Sequence, residues 1–367
     1  MYVKNEKISS RQTFRLYVFD LMGIATLLLP PYLAELCGVD GIFAIIAGTG
    51  LGYLYLLYLG WIMKRMQGDL CSYLEGHIHA AVRKTTYVWV LLHSIFTAGF
   101  CAYIFAKLMQ YSLVKESAYE VILFVIVAVA AYAVSGGMES RARVYEVLFW
   151  FVLIPYVGMM LASIRNFDVL YIQGMFTTNG GNFWKGLYLV FLFLTPLFFI
   201  LFLVGEKEKN YGRNIIKTVA VSIFLTAVIL LFSYLLLLGN FGTASLATMK
   251  YPIVTLMSTI QFKGNFLKRM DALMLAVWFF TLYALLNLHL HYGTKMLKEL
   301  GKKEENTKWW QIFLPAVFVY GIAYGMFQYE EWIMVFLDYY SYIAVPFVLV
   351  VPFALLLAGR KKDENKE

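Results

Sequence analysis

Few residues in this 367-residue chain could do chemistry, and most of them lie inside long apolar runs. Asp20 stands about eight residues into the first run, and Lys107 lies in the outer half of the third. An ionised carboxylate held at membrane depth costs about 2.5–3.5 kcal/mol, so Asp20 must face protein or water. It could partner a cation or proton, touch a ligand amine, or serve as a hydrogen-bonded structural acid. Lys107 could balance a carboxylate or replace a bound cation, and its stem could also carry its charge to the outer interface. Asp20 and Lys107 are therefore the candidates for ion or proton coupling. His93, His289 and His291 offer pH-sensing chemistry, but no carboxylate cluster joins them, so no metal site is expected. Arg269 and Asp271 sit where an acid would cap the start of the eighth apolar run. Cys37, Cys71 and Cys101 suit neither a disulfide framework nor a zinc site. No G-x-x-x-x-G-K-[ST] run is present and no nucleophile–base pair stands out, so neither an enzyme nor a cofactor is expected.

The elements that position these groups follow from composition. Hydrophobic residues make up 61% of the chain and charged residues 15%, against about 45–50% and 25% in an ordinary soluble domain. Such a chain cannot clothe itself in a polar skin. A soluble enzyme, a disordered chain and a coiled coil are excluded, leaving an all-α integral membrane protein. A crossing helix needs about 20 mostly apolar residues. Ten candidates meet this approximately, at 12–33, 41–63, 87–114, 120–134, 144–164, 183–204, 218–238, 270–291, 309–327 and 332–357. The fourth is short. Segments on the N-terminal side hold 23 of the 31 Lys and Arg, counting Arg141 and Arg143 among them. That asymmetry places both termini in the cytoplasm and accounts for the net charge of +8 without a nucleic-acid partner. The expected organisation is one transmembrane domain over 1–367, with a charged cytoplasmic tail at 358–367. Residues 68–84 read as one amphipathic helix through Leu70, Tyr73, Leu74, Ile78 and Val82. Residues 165–182 end in turn chemistry, and 239–269 should hold a short helix over the mouth of the bundle.

Ten spans divide into two fives, approximately 11–164 and 183–357. An odd number per half inverts the second relative to the first. Irregular residues recur at matching places: Gly23 and Pro30-Pro31 in span one against Thr195-Pro196 in span six, and Pro155 in span five against Pro346 in span ten. Breaks of this kind survive in lipid only where protein or a cavity receives the freed backbone groups. They place a ligand site between Gly23, Ile24, Ala25 and Thr26 of span one and Leu194, Thr195 and Pro196 of span six. Thr97 and Phe100 of span three and Trp278 of span eight would wall it. Two hydroxyls, freed backbone and an aromatic wall suit a small neutral or zwitterionic nutrient with an apolar side chain better than a sugar.

The start Lys7-Ile8-Ser9-Ser10-Arg11-Gln12, followed by Gly23 and Pro30, resembles the spore germination permease family, the B subunits of GerA-type germinant receptors. So do Tyr251-Pro252, the run Phe266-Leu267-Lys268-Arg269-Met270-Asp271-Ala272, and Trp278, in that order. The resemblance implies the LeuT-like fold of the amino acid–polyamine–organocation superfamily, with ten helices in a five-plus-five inverted repeat. It also implies a receptor that senses nutrients and awakens a dormant spore, a larger A subunit and a C-subunit lipoprotein as partners, and a place in the spore inner membrane. Two departures stand out. Ala25 replaces the second glycine of a Gly-x-Gly break, and Phe193-Leu194-Thr195-Pro196-Leu197-Phe198 replaces a glycine-rich break with a nearby acid. Both make the site more apolar. A proton-coupled amino acid or amine transporter is the alternative function, and a scaffold subunit with a decayed site is a weaker one.

Overall fold

The computed structural model describes residues 8–66, 68–112, 118–203, 211–259, 270–301, 308–329 and 331–364. Among them, eight stretches are long and apolar enough to cross a membrane: Ser10–Met66, Ala80–Gln110, Gly137–Asn166, Gly180–Phe202, Asn214–Thr248, Leu275–Leu300, Trp309–Phe327 and Trp332–Gly359. The first holds two helices, α1 (Ser10–Cys37) and α2 (Gly41–Met66), joined by a 3-10 turn at Gly38–Asp40. The chain is a multi-pass membrane protein. Large apolar side chains such as Leu54, Phe124, Phe151, Phe224 and Phe313 face outward, as lipid permits and water does not.

Next come α3 (Leu70–His77), α4 (Ala80–Ser112), α5 (Tyr119–Ser135) and α6 (Gly137–Ser163). At 17 residues, α5 is shorter than the eight stretches above. The second half comprises α7 (Gly180–Leu192), a 3-10 segment Thr195–Phe202, α8 (Tyr211–Thr248), α9 (Pro252–Thr259), α10 (Met270–Leu300), α11 (Trp309–Phe327), α12 (Trp332–Tyr339), a π turn Tyr340–Ala344 and α13 (Val345–Glu364).

The irregularities do not match between halves. The expected sixth span breaks between Leu192 and Thr195, whereas the expected tenth stays helical and only widens into a π turn just before Pro346. By contrast α1 runs unbroken through Gly23 and through Pro30-Pro31, and α6 runs through Pro155. The break expected at Gly23–Thr26 is therefore absent. Ala25 keeps helical stiffness that a second glycine would have relaxed. Thr26 Oγ1 donates back to the carbonyl of Met22 at 2.9 Å, which holds that turn closed.

Small residues set the packing. A Cβ on Gly48 of α2 would lie 2.6 Å from Val190 Cβ and 2.8 Å from the Leu187 carbonyl, so only glycine lets α7 approach so closely. The expected amphipathic helix over 68–84 is divided: α3 ends at His77, Ile78 is extended, and Val82 is largely exposed on the first turns of α4. Asp69 caps α3 by accepting from Ser72 N at 3.0 Å, and Lys295 of α10 reaches Asp69 at 3.3 Å. Leu70, Cys71, Tyr73 and Leu74 are buried. Burial pushes the Cys71 thiol up to about 12, so a maleimide should fail to label Cys71 in the folded protein at neutral pH. Rapid labelling would show that α3 lifts from the bundle.

At the opposite end, Asp40 knots two loops together. Its carboxylate accepts from the N–H groups of Phe176 (2.5 Å), Thr177 (2.9 Å) and Thr178 (2.9 Å). Thr178 Oγ1 donates to the Cys37 carbonyl at 2.8 Å. Asp40→Ala should lower stability by about 1.5–3 kcal/mol, since it leaves three amides without a charged acceptor. A melting curve checks this, and Asp40→Asn should lose less. The short helix expected over the mouth is α9, with Pro252, Ile253, Leu256 and Met257 buried. Residues 260–269, which include Arg269, lie outside the described residues, as does the side chain of Asp271.

Candidate functional site

The span-six break faces a small cavity in the middle of the bundle. Its wall comprises Asp20 and Ile24 of α1, Leu192, Phe193, Thr195 and Pro196 at the break, Leu285 of α10, Phe336 and Leu337 of α12, and Tyr340 of the π turn. The free space among them is on the order of one water molecule. A ligand of amino-acid size could enter only if the wall moved.

Four of the residues singled out from sequence line this cavity: Asp20, Ile24, Thr195 and Pro196. Two more support its wall from behind. Phe100 stacks on Phe336 with centroids 3.8 Å apart, and Thr97 Oγ1 bonds Tyr340 Oη at 3.0 Å. The others lie elsewhere. A Cβ on Gly23 would meet Thr281 Cβ at 2.7 Å and its backbone carbon at 2.9 Å, so Gly23 faces α10. Trp278 Nε1 donates to Thr26 Oγ1 at 3.3 Å, and Trp278 meets Tyr156 edge-on at 6.0 Å. Thr26 and Trp278 thus belong to a packed seam of α1, α6 and α10. Leu194 turns towards α2, where it packs on Gly52. Ala25 is buried in the core.

Thr195 Oγ1 donates to the Leu192 carbonyl at 2.7 Å, satisfying an acceptor freed by the break. Thr26→Val should cost about 1–3 kcal/mol of stability, because the buried Trp278 N–H loses its acceptor. Ligand response should be spared, and an unchanged melting temperature would contradict the assignment to the seam.

Asp20 is almost wholly buried and ion-paired with Arg141 of α6, whose side chain is equally buried. Arg141 Nη2 also donates to the Ala284 carbonyl of α10 at 3.2 Å. Counting Arg141 as a loop charge was therefore wrong: α6 begins at Gly137, and Arg141 points inward from its second turn. Closer to Ser10, Glu146 of α6 takes Arg11 at 2.5 Å, Arg15 at 3.6 Å and Gln12 at 3.0 Å, tying α1 to α6 again. Lys107 Nζ lies 4.2 Å over the Phe327 ring of α11, away from the cavity wall. His93 and His289 are buried, with ring centroids 5.4 Å apart. His93 Nδ1 bonds Tyr339 Oη at 2.9 Å, whereas neither ring nitrogen of His289 has a partner among the described residues. Among those residues no group of three or more His, Cys, Asp or Glu could hold a metal.

Leu192, Phe193, Leu285, Phe336, Leu337 and Tyr340 were missed in the sequence. Nothing in their types separates a cavity wall from lipid-facing bulk. The spacing of Phe336 and Tyr340, one helical turn apart and shortly before Pro346, is the one trace they leave.

Residues 7–348 match the family described as Spore germination protein, Spore_permease. The chain belongs to the spore germination permease family. Among its relatives is Spore germination protein B2 of Bacillus subtilis (strain 168), 24% identical over 76% of this chain and 75% of that one. Spore germination protein A2 of the same organism is 20% identical over 95% and 94% of the two chains. Spore germination protein YndE is 19% identical over the full length of both. Among solved structures, a Na+-coupled sialic acid symporter in a substrate-bound outward-open state superposes with a TM-score of 0.65. It covers 94% of this chain and 79% of the symporter at 10% identity. The permease therefore has a transporter-type helical fold.

Proposed function

We propose that this permease is the ligand-binding B subunit of a nutrient-germinant receptor in the spore inner membrane. It binds a small amino-acid-like nutrient at the central cavity and triggers germination through an A subunit and a C-subunit lipoprotein. The supporting observation is the placement of the cavity. It lies where the span-six break meets α1, α10 and the π turn, in a member of the germination family. An apolar wall with a few polar groups at a helix break suits a small zwitterion with an apolar side chain. Because the cavity closes to about one water, ligand entry must move the wall, and that motion is the signal passed to the partners.

The topology that goes with this reading is ten spans, with α1 and α2 crossing separately and α5 crossing despite its length. The whole chain is then one transmembrane domain built of two inverted repeats, with both termini and the 358–367 tail in the cytoplasm. A reporter fused after Glu367 should be active only inside the cell, and external labelling of a cysteine placed at Glu304 would contradict the topology.

The transporter-type fold keeps a second reading in view, proton-coupled movement of an amino acid or amine. Asp20, the acid of the two coupling candidates, is committed to Arg141, which favours the receptor. Labelled amino acid uptake into proteoliposomes, run beside a binding assay, separates the two. Binding without uptake supports the receptor, uptake driven by a proton gradient supports the transporter, and neither leaves the scaffold subunit.

A further inference from the structure

The loop between α6 and α7 carries large apolar side chains where a loop in water would carry polar ones. Val169, Leu170, Tyr171, Met175 and Phe176 lie outside the crossing stretches, yet all are exposed, Phe176 by 82%. A cluster of this kind marks a surface that meets either a membrane or a protein.

The loop is built to hold that surface still. At one end Phe167 and Tyr171 sit against Gly239 and Gly242 of α8. A Cβ on Gly239 would collide with the Phe167 ring, and one on Gly242 would lie 3.0 Å from Tyr171 Cδ1. Asp168 N donates to the Gly239 carbonyl at 2.8 Å. At the other end the three amides of 176–178 donate to Asp40. That grip holds Phe176 at φ 63°, a left-handed conformation uncommon outside glycine. The Phe176 ring lies stacked on Phe43 of α2, with centroids 4.9 Å apart.

We propose that this loop is a shelf lying in the membrane interface, with Val169, Leu170, Met175 and Phe176 inserted among lipid chains just below the headgroups. Three observations favour lipid over a protein partner. First, the shelf continues lipid-facing stripes at both ends. Ile154, Val157 and Leu161 run along the exposed face of α6 to Ile164, where the loop starts. Phe43, beneath Phe176, stands one turn before Ile46, which with Leu54 and Leu57 is exposed along α2. Second, the loop satisfies its backbone donors internally, as a surrounding of low polarity demands and water does not. The amides of Phe167, Tyr171 and Gln173 donate to the carbonyls of Ile164, Asp168 and Leu170, and Leu170 N donates to Asp168 Oδ1. Third, Arg165, Trp184 and Lys185 flank the shelf and are exposed. Basic and aromatic side chains of this kind anchor a segment at headgroup level. The inference holds whether the permease senses or transports.

The test measures depth. Cys37, Cys71 and Cys101 are buried, so a cysteine placed at Phe176 or at Leu170 can carry an environment-sensitive fluorophore. The full chain would be reconstituted in vesicles of phosphatidylcholine and phosphatidylglycerol. Leu54→Cys, exposed on α2, serves as the lipid control, and Ser245→Cys, exposed near the end of α8, as the water control. Phe176→Cys and Leu170→Cys should emit to the blue of Ser245→Cys. A lipid bearing a nitroxide high on its chain should quench them several-fold more strongly, and aqueous iodide several-fold less. Absence of lipid quenching at both positions would overturn the proposal, and iodide access there would leave the shelf as a surface for a protein. Wild type gives a reading that needs no variant. Met175 should be as well protected from hydroxyl radicals made in water as Met334, which is exposed on α12. Oxidation of Met175 with Met334 spared would also overturn it.

Discussion

Gly23→Leu should leave little folded protein in the membrane. A Cβ at this position would already lie 2.7 Å from Thr281 Cβ and 2.9 Å from the Thr281 backbone carbon. Trimming the Thr281 side chain relieves the first contact and not the second, so α1 and α10 would have to separate. Ordinary overpacking costs about 1–3 kcal/mol, and a contact with backbone puts this case at or above the upper end. Gly23→Ala should be milder but still destabilising, and Thr281→Gly should rescue it only in part. Detergent-resistant monodispersity and melting temperature check the expectation. A Gly23→Leu chain that assembled and melted like wild type would contradict the seam. Had Gly23 lined the ligand site, as its place in the sequence suggests, the same substitution would block response and spare assembly.

Leu285→Phe should lower nutrient affinity at least tenfold, equivalent to about 1.4 kcal/mol, while the protein still folds. Leu285 lines a cavity with room on the order of one water, so a larger ring would occupy the volume into which the ligand must fit. Its counterpart, Leu285→Ala, should cost about 2–5 kcal/mol of stability and shift response towards bulkier side chains. Dose–response curves for germination, read beside melting curves, separate the two effects. Unchanged sensitivity in a folded Leu285→Phe protein would move the site elsewhere.

Much of the architecture could be read from the chain, because lipid imposes a simple rule of long apolar helices with internally satisfied backbones. The break at Thr195-Pro196 and the short helix after Tyr251-Pro252 were both legible, since proline marks them directly. Pro30-Pro31 gave a misleading signal. The helix continues through them among the buried Leu27, Leu28 and Leu29, and such packing is a tertiary fact that no local motif reports. Asp20 was recognised as a residue that must find a partner, but the partner was hidden. Arg141 sits 121 positions away in a stretch whose charges read as a loop. The cavity wall was partly legible. Ile24, Thr195 and Pro196 were singled out from the sequence, whereas Pro346 marked an irregularity in the last span without showing that Phe336 and Tyr340, on the turns before it, face the cavity.

The central claim, that a small amino-acid-like nutrient binds at the span-six break, is tested most directly by photo-crosslinking. The intact permease would be irradiated with a diazirine analogue of leucine, and the adducts mapped by mass spectrometry with unmodified nutrient as competitor. The account predicts competable adducts on Ile24, Leu285, Phe336, Leu337 or Tyr340. Competable adducts confined to the Thr26–Trp278 seam, or to the loops around Asp40 and α9, would contradict it.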